Sequence, residues 1–419
     1  MTAPKYSQPS DRSAFEIAII CALQIESDAV EALFDDFWDE QEYGKATGDP
    51  NSYTLGRIGR HHVVLVYMPG MGKGSSASVA ASFRSSFPSV RLDLVVGICG
   101  GVPFVGSSHA EEILLGDVII STGVIQFDFG RQFSDRIVRK DTLQDNLGRP
   151  NSEIRSFLNK MQGWRARTEL RRRLCEYVAE VCGKEGFEGR RHPALDEDKL
   201  YRAAYRHKHQ DLTVCSICAQ CVNDGDTTCE IAPHATCAQL QCDDSQLVAR
   251  KRIEQAQKSS LTTDQAEDAS KPAIHFGLVA SGDVVMKSAS HRDRLAAEES
   301  VIAIEMEGAG VWDNFPTVII KGVCDYADSH KNKKWRPYAA VTAAACAKAL
   351  LREWPGMGNA GLATQVAGAT NEWQHESGPN MRITQGESQF RGPTIVTGGR
   401  VFQGNFVGLG QRSPGRGLS

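Results

Sequence analysis

Apolar residues in this chain fall into short runs rich in β-branched side chains, separated by polar turns and amphipathic stretches. Residues 15–21, 62–68, 92–98 and 117–125 each have the length of a strand buried on both faces. Residues 24–37 and 73–87, lying between some of these runs, carry helical patterning. The same texture resumes late in the chain. Strands are predicted at 274–280, 300–305 and 317–323, and helices at 290–299, 307–312 and 337–353. Strand–helix alternation of this kind predicts an α/β sheet with helices packed on its faces.

The remaining segments read differently. Residues 133–271 are charged, with a helical segment at 165–182 and a polar linker at 259–271. They are expected to form a helical, Cys-rich insertion that interrupts one domain running from 15 to 354. Residues 1–14 are polar and expected to be flexible. Residues 355–419 are rich in Gly, Gln, Asn and Thr and contain neither Lys nor Asp. Such a tail buries little apolar surface and is expected to be flexible. Its stretch GPTIVTGGRVFQGNFVG also fits a second reading, β-pairing between chains.

The 419 residues suffice for one large domain or two ordinary ones. With 47 basic and 51 acidic side chains, the net charge is −4, which gives no general pull toward nucleic acid or anionic membrane. No apolar run approaches the roughly 20 residues that span a bilayer, and the N-terminus lacks a signal-peptide core. A cytoplasmic protein with no nucleic-acid or membrane partner is expected. Of 12 cysteines, six lie between Cys215 and Cys242. In a reducing compartment they are free thiols or metal ligands rather than disulfides. The Cys-x-x-Cys of Cys215 and Cys218 suits a structural zinc site, completed by Cys237 with Cys242 or by Cys229 with His234. Free thiols packed in a loop are the alternative, and the spacing leaves both open.

Three carboxylates stand where chemistry collects in an α/β sheet, at the carboxyl ends of strands. Glu26 follows FEIAIIC, Glu307 follows VIAIEM, and Asp325 follows VIIKGV. Each of the two glutamates, taken singly, is explained as a first-turn helix acid. Three acids at three strand ends of one sheet ask for more.

The motifs IAIICALQIE, MPGMGKGSSA, VVGICGGVP, GDVIIS, GLVASGDVVM, IEMEGAG and GVCDYAD occur in that order. In them the chain resembles the family of purine nucleoside phosphorylases, uridine phosphorylases and methylthioadenosine/S-adenosylhomocysteine nucleosidases. It is most similar to the fungal-type branch, which often forms the N-terminal domain of larger immune-receptor-like proteins. The resemblance covers residues 15–132 and 273–351. It implies a three-layer α/β/α fold with a central mixed sheet, a purine nucleoside or nucleotide as small-molecule partner, and a homo-oligomer. It also implies roles. Glu26 matches the general base, Asp325 the acid that protonates purine N7, and Glu307 the residue that holds the ribose hydroxyls. Met306 lies against the sugar, while Val285 and Met286 hold the base. Ile98, Cys99 and Gly100 fall at the water or ribose end, and Gly72 and Lys73 are placed to hold an anion at a helix start. Phe127 and Phe129 are read either as pocket wall or as core.

The chemistry asks for such a set. A purine leaves poorly as an anion, so a proton donor must reach it. The sugar passes through an oxocarbenium-like state, which a carboxylate on its hydroxyls favours. A further carboxylate activates water. No cofactor is needed. The family's phosphorylases use an Arg and a Ser around the VVG turn, where this chain has Val95 and Ile98, and an Arg in the first loop, where it has none. Hydrolysis is therefore expected, on adenosine or on a nucleotide such as ATP. The alternatives are a phosphate-dependent phosphorylase and a non-catalytic nucleoside sensor. Ile98 departs from the nucleosidases, which usually carry Ser there. The loop MPGMGKGSS lacks the spacing of an ATPase phosphate loop. Arg131 and the run Lys331, Lys333, Lys334, Arg336 are read either as a solvated face or as contacts for substrate phosphates.

Overall fold

The computed structural model describes residues 8–106, 111–134, 137–223, 225–257 and 271–356. The expected tail, beyond its first two residues, and the linker, apart from Lys271, lie outside them. Nine strands among the described residues form one mixed sheet. They are β1 (Ile17–Cys21), β2 (Asp36–Trp38), β3 (Ser52–Ile58), β4 (His61–Tyr67), β5 (Leu92–Gly101), β6 (Val118–Gln126), β7 (Ile274–Ser281), β8 (Val301–Glu305) and β9 (Thr317–Asp325). Their spatial order is β8-β7-β6-β9-β5-β1-β4-β3-β2. Strand β1 runs parallel to β4 and β5, β9 parallel to β5, and β7 parallel to β6 and β8. The β9–β6, β3–β4 and β2–β3 pairs are antiparallel. The end of β5 also pairs with β8, Gly101 opposite Ala303 and Gly100 opposite Ile304. Strands β5, β9, β6, β7 and β8 therefore close on themselves.

The central strands are apolar on both faces because both are covered. Ile17, Ile19, Val63, Leu65, Leu94 and Val96 belong to one core cluster. That cluster includes side chains of α1 (Gln24–Glu31), α3 (Ser152–Gln162), α4 (Trp164–Cys182) and α7 (Arg336–Glu353). The alternate residues Ala18, Ile20, Val64, Val66 and Val95 pack on the other face, against α2 (Lys73–Ser86) and α6 (Gly308–Val311). The result is three layers, helix–sheet–helix. A further helix, α5 (Ala289–Glu299), packs Leu295 and Ala296 against the cluster of Ala280, Val301 and Ile304 beside β8. No helix among the described residues is long and apolar enough to cross a membrane.

Three expectations are corrected. The helix predicted over 24–37 stops at Glu31, and Asp36–Trp38 becomes an edge strand. Val30, Leu33, Phe34 and Phe37 have helical spacing, but the open edge of β3 offers backbone partners that a longer helix would leave unpaired. Strand β3 itself is absent from the sequence reading, since Gly56 and Arg57 interrupt its apolar pattern. Gly56 is needed there, because a Cβ would sit 2.4 Å from the Asp36 carbonyl oxygen. The stretch 133–271, expected as one insertion, divides in two. Ile154, Phe157, Leu158, Met161, Leu170, Leu174, Tyr177 and Val181 of α3 and α4 belong to the same core as α7. The residues beyond α4 consist of short helices and turns with a small cluster of their own. They are tied back by Arg250, which donates to the Ile113 carbonyl and to Tyr326 Oη, and by Arg252, paired with the buried Asp117.

Candidate active site

A cavity open to solvent lies at the carboxyl ends of β1, β5, β8 and β9. Glu26, Glu307 and Asp325 all line it. Each is at least nine-tenths buried, with 2%, 4% and 8% exposure respectively. The rest of the wall includes Met71, Ile98, Cys99, Gly100, Val285, Met286, Met306, Lys331 and Arg336.

Glu26 sits in the first turn of α1, just past β1. Its Oε2 accepts from the backbone N–H of Ala22 (3.0 Å) and Leu23 (2.9 Å), and its Oε1 from that of Ile98 (2.8 Å). Gly97 makes the last contact possible, since a Cβ there would lie 2.3 Å from Glu26 Oε1. Burial pushes the Glu26 carboxyl above its usual range, and Glu307 adds to the shift. Lys321 and the backbone N–H groups pull the other way.

Glu307 shows the opposite balance. Burial works against its charge, but the Lys321 ammonium and the N–H groups of Gly72 and Met306 outweigh it and hold the carboxyl below the usual range. Lys321 donates to Glu307 Oε2 at 2.8 Å and lies 3.5 Å from Glu305 Oε2. Glu305 in turn accepts from the N–H groups of Glu307 and Gly308 at 3.0 Å, capping α6, and burial raises its own carboxyl. Asp325 ends β9. Its Oδ1 accepts from Ala327 N–H (2.8 Å) and forms an ion pair with Lys331 Nζ at 3.1 Å, and its Oδ2 lies 3.5 Å from the Cys324 thiol.

Several other sequence-predicted positions lie elsewhere. Phe127 is not on the cavity wall. It packs in a cluster with Met286, Leu278 and Leu295, and its ring fills the space a side chain at Gly282 would need. The N–H of Lys73 is already donated to Asp283 Oδ1 (2.7 Å), and its ammonium pairs with Asp128. The start of α2 thus already holds a carboxylate of this chain, and neither Gly72 nor Lys73 lines the cavity, although Met71 beside them does. Phe129 and Arg131 lie on an exposed hairpin, with Lys140 over the Phe129 ring. The basic run divides. Lys331 and Arg336 reach the cavity, whereas Lys334 pairs with Glu197 at 2.7 Å and Lys333 is off the wall.

Sequence reasoning missed Lys321 and Glu305. A signal was present, since Lys321 interrupts the apolar run TVIIKGV. A lysine inside a two-sided strand is buried, and a buried lysine needs a carboxylate.

Comparisons with known proteins give one family match and several likenesses. Residues 16–188 match the model of the phosphorylase superfamily. A nucleotide-binding leucine-rich repeat (NLR)-like protein of the fungus Hyaloscypha variabilis is 32% identical over 343 residues, which are 80% of this chain. The chain spans only 29% of that relative's length. Among solved structures, a methylthioadenosine nucleosidase of Helicobacter pylori with methylthioadenosine in its active site is 14% identical. The alignment covers 81% of this chain and 99% of that one, with a TM-score of 0.46. A methylthioadenosine/S-adenosylhomocysteine nucleosidase of Streptococcus pneumoniae is 18% identical over 81% of this chain and 100% of its own, with a TM-score of 0.45. Futalosine hydrolase of Helicobacter pylori is 14% identical over 81% and 99%, also with a TM-score of 0.45. With TM-scores below 0.5 these are likenesses only, and no role is transferred from them.

Proposed function

We propose that this chain, whose residues 16–188 match the phosphorylase superfamily model, hydrolyses the N-glycosidic bond of an adenine-type nucleoside or nucleotide. The observation that carries this reading is the convergence of Glu26, Glu307 and Asp325 on one cavity.

The two glutamates are pushed in opposite directions, which supports separate tasks for them. Glu307, held in its charged form by Lys321, is suited to grip ribose hydroxyls and to favour the positive charge that develops on the sugar. Glu26, buried and raised, is suited to take a proton from water as that water's oxygen bonds to the anomeric carbon. Asp325 delivers a proton to purine N7 as the carbon–nitrogen bond breaks, so free base and a sugar with a new hydroxyl result. The apolar side chains of Met306, Met286 and Val285 thin the water around these charges and strengthen them.

Water is favoured over phosphate by what surrounds Glu26. Its hydrogen-bond donors are neutral backbone N–H groups, and the nearby Lys321 is already shared by Glu305 and Glu307. A phosphate dianion placed there meets carboxylates and gains little. Lys331 and Arg336 on the same wall support including nucleotides among the substrates. The NLR-like relative supports a second reading, a module that binds a nucleoside without cleaving it.

The test is free-base release from adenosine, inosine, guanosine, methylthioadenosine and ATP, in the presence and absence of phosphate. Adenine release in phosphate-free buffer is expected. A strict phosphate requirement turns the reading into phosphorolysis. Saturable ligand binding without release turns it into the sensor. The Asp325→Asn variant is expected to keep its circular dichroism spectrum and lose turnover by ~10²–10⁴-fold; unchanged turnover in it removes Asp325 from the proposed role.

A further inference from the structure

The segment after α4 is poorly equipped to fold by apolar burial. Its helices are short, Ser216–Gln220 and Cys237–Leu240, and its own buried cluster consists of Cys218, Cys229, Ala232 and Leu240. Meanwhile Leu212, Val214, Ile217, Val222 and Ile231 are more than half exposed. A segment of this kind needs a staple.

Two groups of side chains supply one. His209, Cys215, Cys218 and Cys229 bring four ligand atoms within 4.8 Å of one another, and His207, Cys237 and Cys242 bring three. Local structure explains how. Cys215 and Cys218 flank one turn of the helix Ser216–Gln220, so their sulfurs share a face. After the helix Cys237–Leu240, Gln241 takes a left-handed conformation (φ 57°), and Cys242 donates its N–H to the Cys237 carbonyl at 2.9 Å. That turn brings Cys242 back beside Cys237.

The distances have the size of a metal site. A tetrahedral zinc with Zn–S of ~2.3 Å and Zn–N of ~2.0–2.1 Å places N and S about 3.5–3.6 Å apart. His209 Nδ1 lies 3.6 Å from both Cys218 Sγ and Cys229 Sγ. His207 Nδ1 lies 3.7 Å from Cys242 Sγ and 3.9 Å from Cys237 Sγ. In each group one ring nitrogen faces two thiols at once, more than its single lone pair serves by hydrogen bonding. The far side of His207 adds an independent sign. Its Nε2 lies 3.0 Å from the Ala235 carbonyl oxygen, which only accepts. A proton therefore sits on Nε2, which leaves Nδ1 as the nitrogen that faces the thiols, the orientation a metal-bound histidine takes.

We infer that this segment binds two zinc ions, one held by His209, Cys215, Cys218 and Cys229, the other by His207, Cys237 and Cys242 with its fourth corner open to water. Cys221 and His234 belong to neither group among the described residues. The second site touches the loop that follows Asp325. The His207 ring meets that of His330 edge-on at 4.9 Å, and His330 stacks on Tyr201 at 4.3 Å. His330 directly precedes Lys331 in the loop that follows Asp325.

The test is the zinc content of the full chain, expressed with added zinc, freed of any affinity tag and measured by elemental analysis. About two zinc ions per chain are expected for the native protein, and about one in each of the variants Cys215→Ser/Cys218→Ser and Cys237→Ser/Cys242→Ser. Cys221→Ser is expected to keep both. Cobalt exchanged into the native protein gives a second readout that needs no variant, with thiolate-to-cobalt absorption expected. Below about 0.2 zinc per chain, together with no such absorption, the inference fails. It also fails if Cys221→Ser loses as much metal as the ligand variants, and its second site fails if the native protein holds one zinc that Cys237→Ser/Cys242→Ser retains. None of these readouts depends on turnover, so the zinc inference and the proposed hydrolysis stand or fall separately.

Discussion

At the scale of single residues, the environment of Glu26 makes the sharpest statement about pH. A carboxyl raised by burial accepts a proton at a pH where ordinary glutamates, near pKa ~4.3, are already ionised. A base works only when ionised, so activity is lost as pH falls through the raised value and recovers above it. The acid limb of a kcat/KM profile between about pH 4 and 8 is accordingly expected above the usual carboxylate range. In Glu26→Gln this limb is expected to vanish along with most of the turnover; a limb that survives unchanged belongs to another group. Gly97 is the second residue-level lever. Its missing side chain is what admits the Glu26 carboxylate, so Gly97→Ala displaces the acid by roughly 1 Å or shifts β5. A loss of at least ~100-fold in turnover is expected from a misplacement of that size. Gly189→Ala, where an added Cβ meets nothing within 4 Å, is expected to leave turnover as it was. That Gly97 matters is invisible in VVGICGG taken alone, because the atom it makes room for belongs to a residue 71 positions earlier.

At the scale of elements, β8, β9 and α6 are held together at their ends by charge as well as by apolar packing. Lys321 of β9 answers Glu305 of β8 and Glu307 at the start of α6, with all three side chains almost fully buried. Lys321→Met removes the cation and leaves two buried carboxylates facing each other. A loss of ~3–5 kcal/mol is expected by urea denaturation. Adding Glu305→Gln to that variant is expected to restore part of the loss, since it removes one unpaired charge and keeps an acceptor for the α6 N–H groups. If Lys321→Met unfolds no earlier than the native protein, the ion cluster contributes nothing to joining these elements. The sequence displayed this lysine openly within an apolar strand. What it could not display was the partner, because any of several acids elsewhere in the chain satisfies the same electrostatic need.

At the scale of the whole molecule, the described fold ends its core at Trp354, buried against Phe157 of α3 with ring centroids 4.9 Å apart. A chain truncated after Gly356 keeps this anchor and every residue that lines the cavity. Its base release is expected to match that of the full chain, and a collapse of activity on truncation makes the last 63 residues part of the catalytic unit. The same view explains why residues 133–271 look like a single insertion in the sequence. Their charged texture is real, but α3 and α4 each turn one apolar stripe toward α7, and a stripe states that it is buried without stating against what.

Strand–helix alternation, the length of most strands and the placing of three acids at strand ends are all legible along the chain. These are consequences of periodicity and chain-local chemistry, readable wherever neighbours in sequence are neighbours in space. Only the tertiary structure decided that Lys321 lies on Glu307, that Gly97 opens room for Glu26, and that His207 and His209 complete the two cysteine groups. Each of these joins residues separated by many positions, and such pairs meet only once the sheet order and the turns between its strands exist.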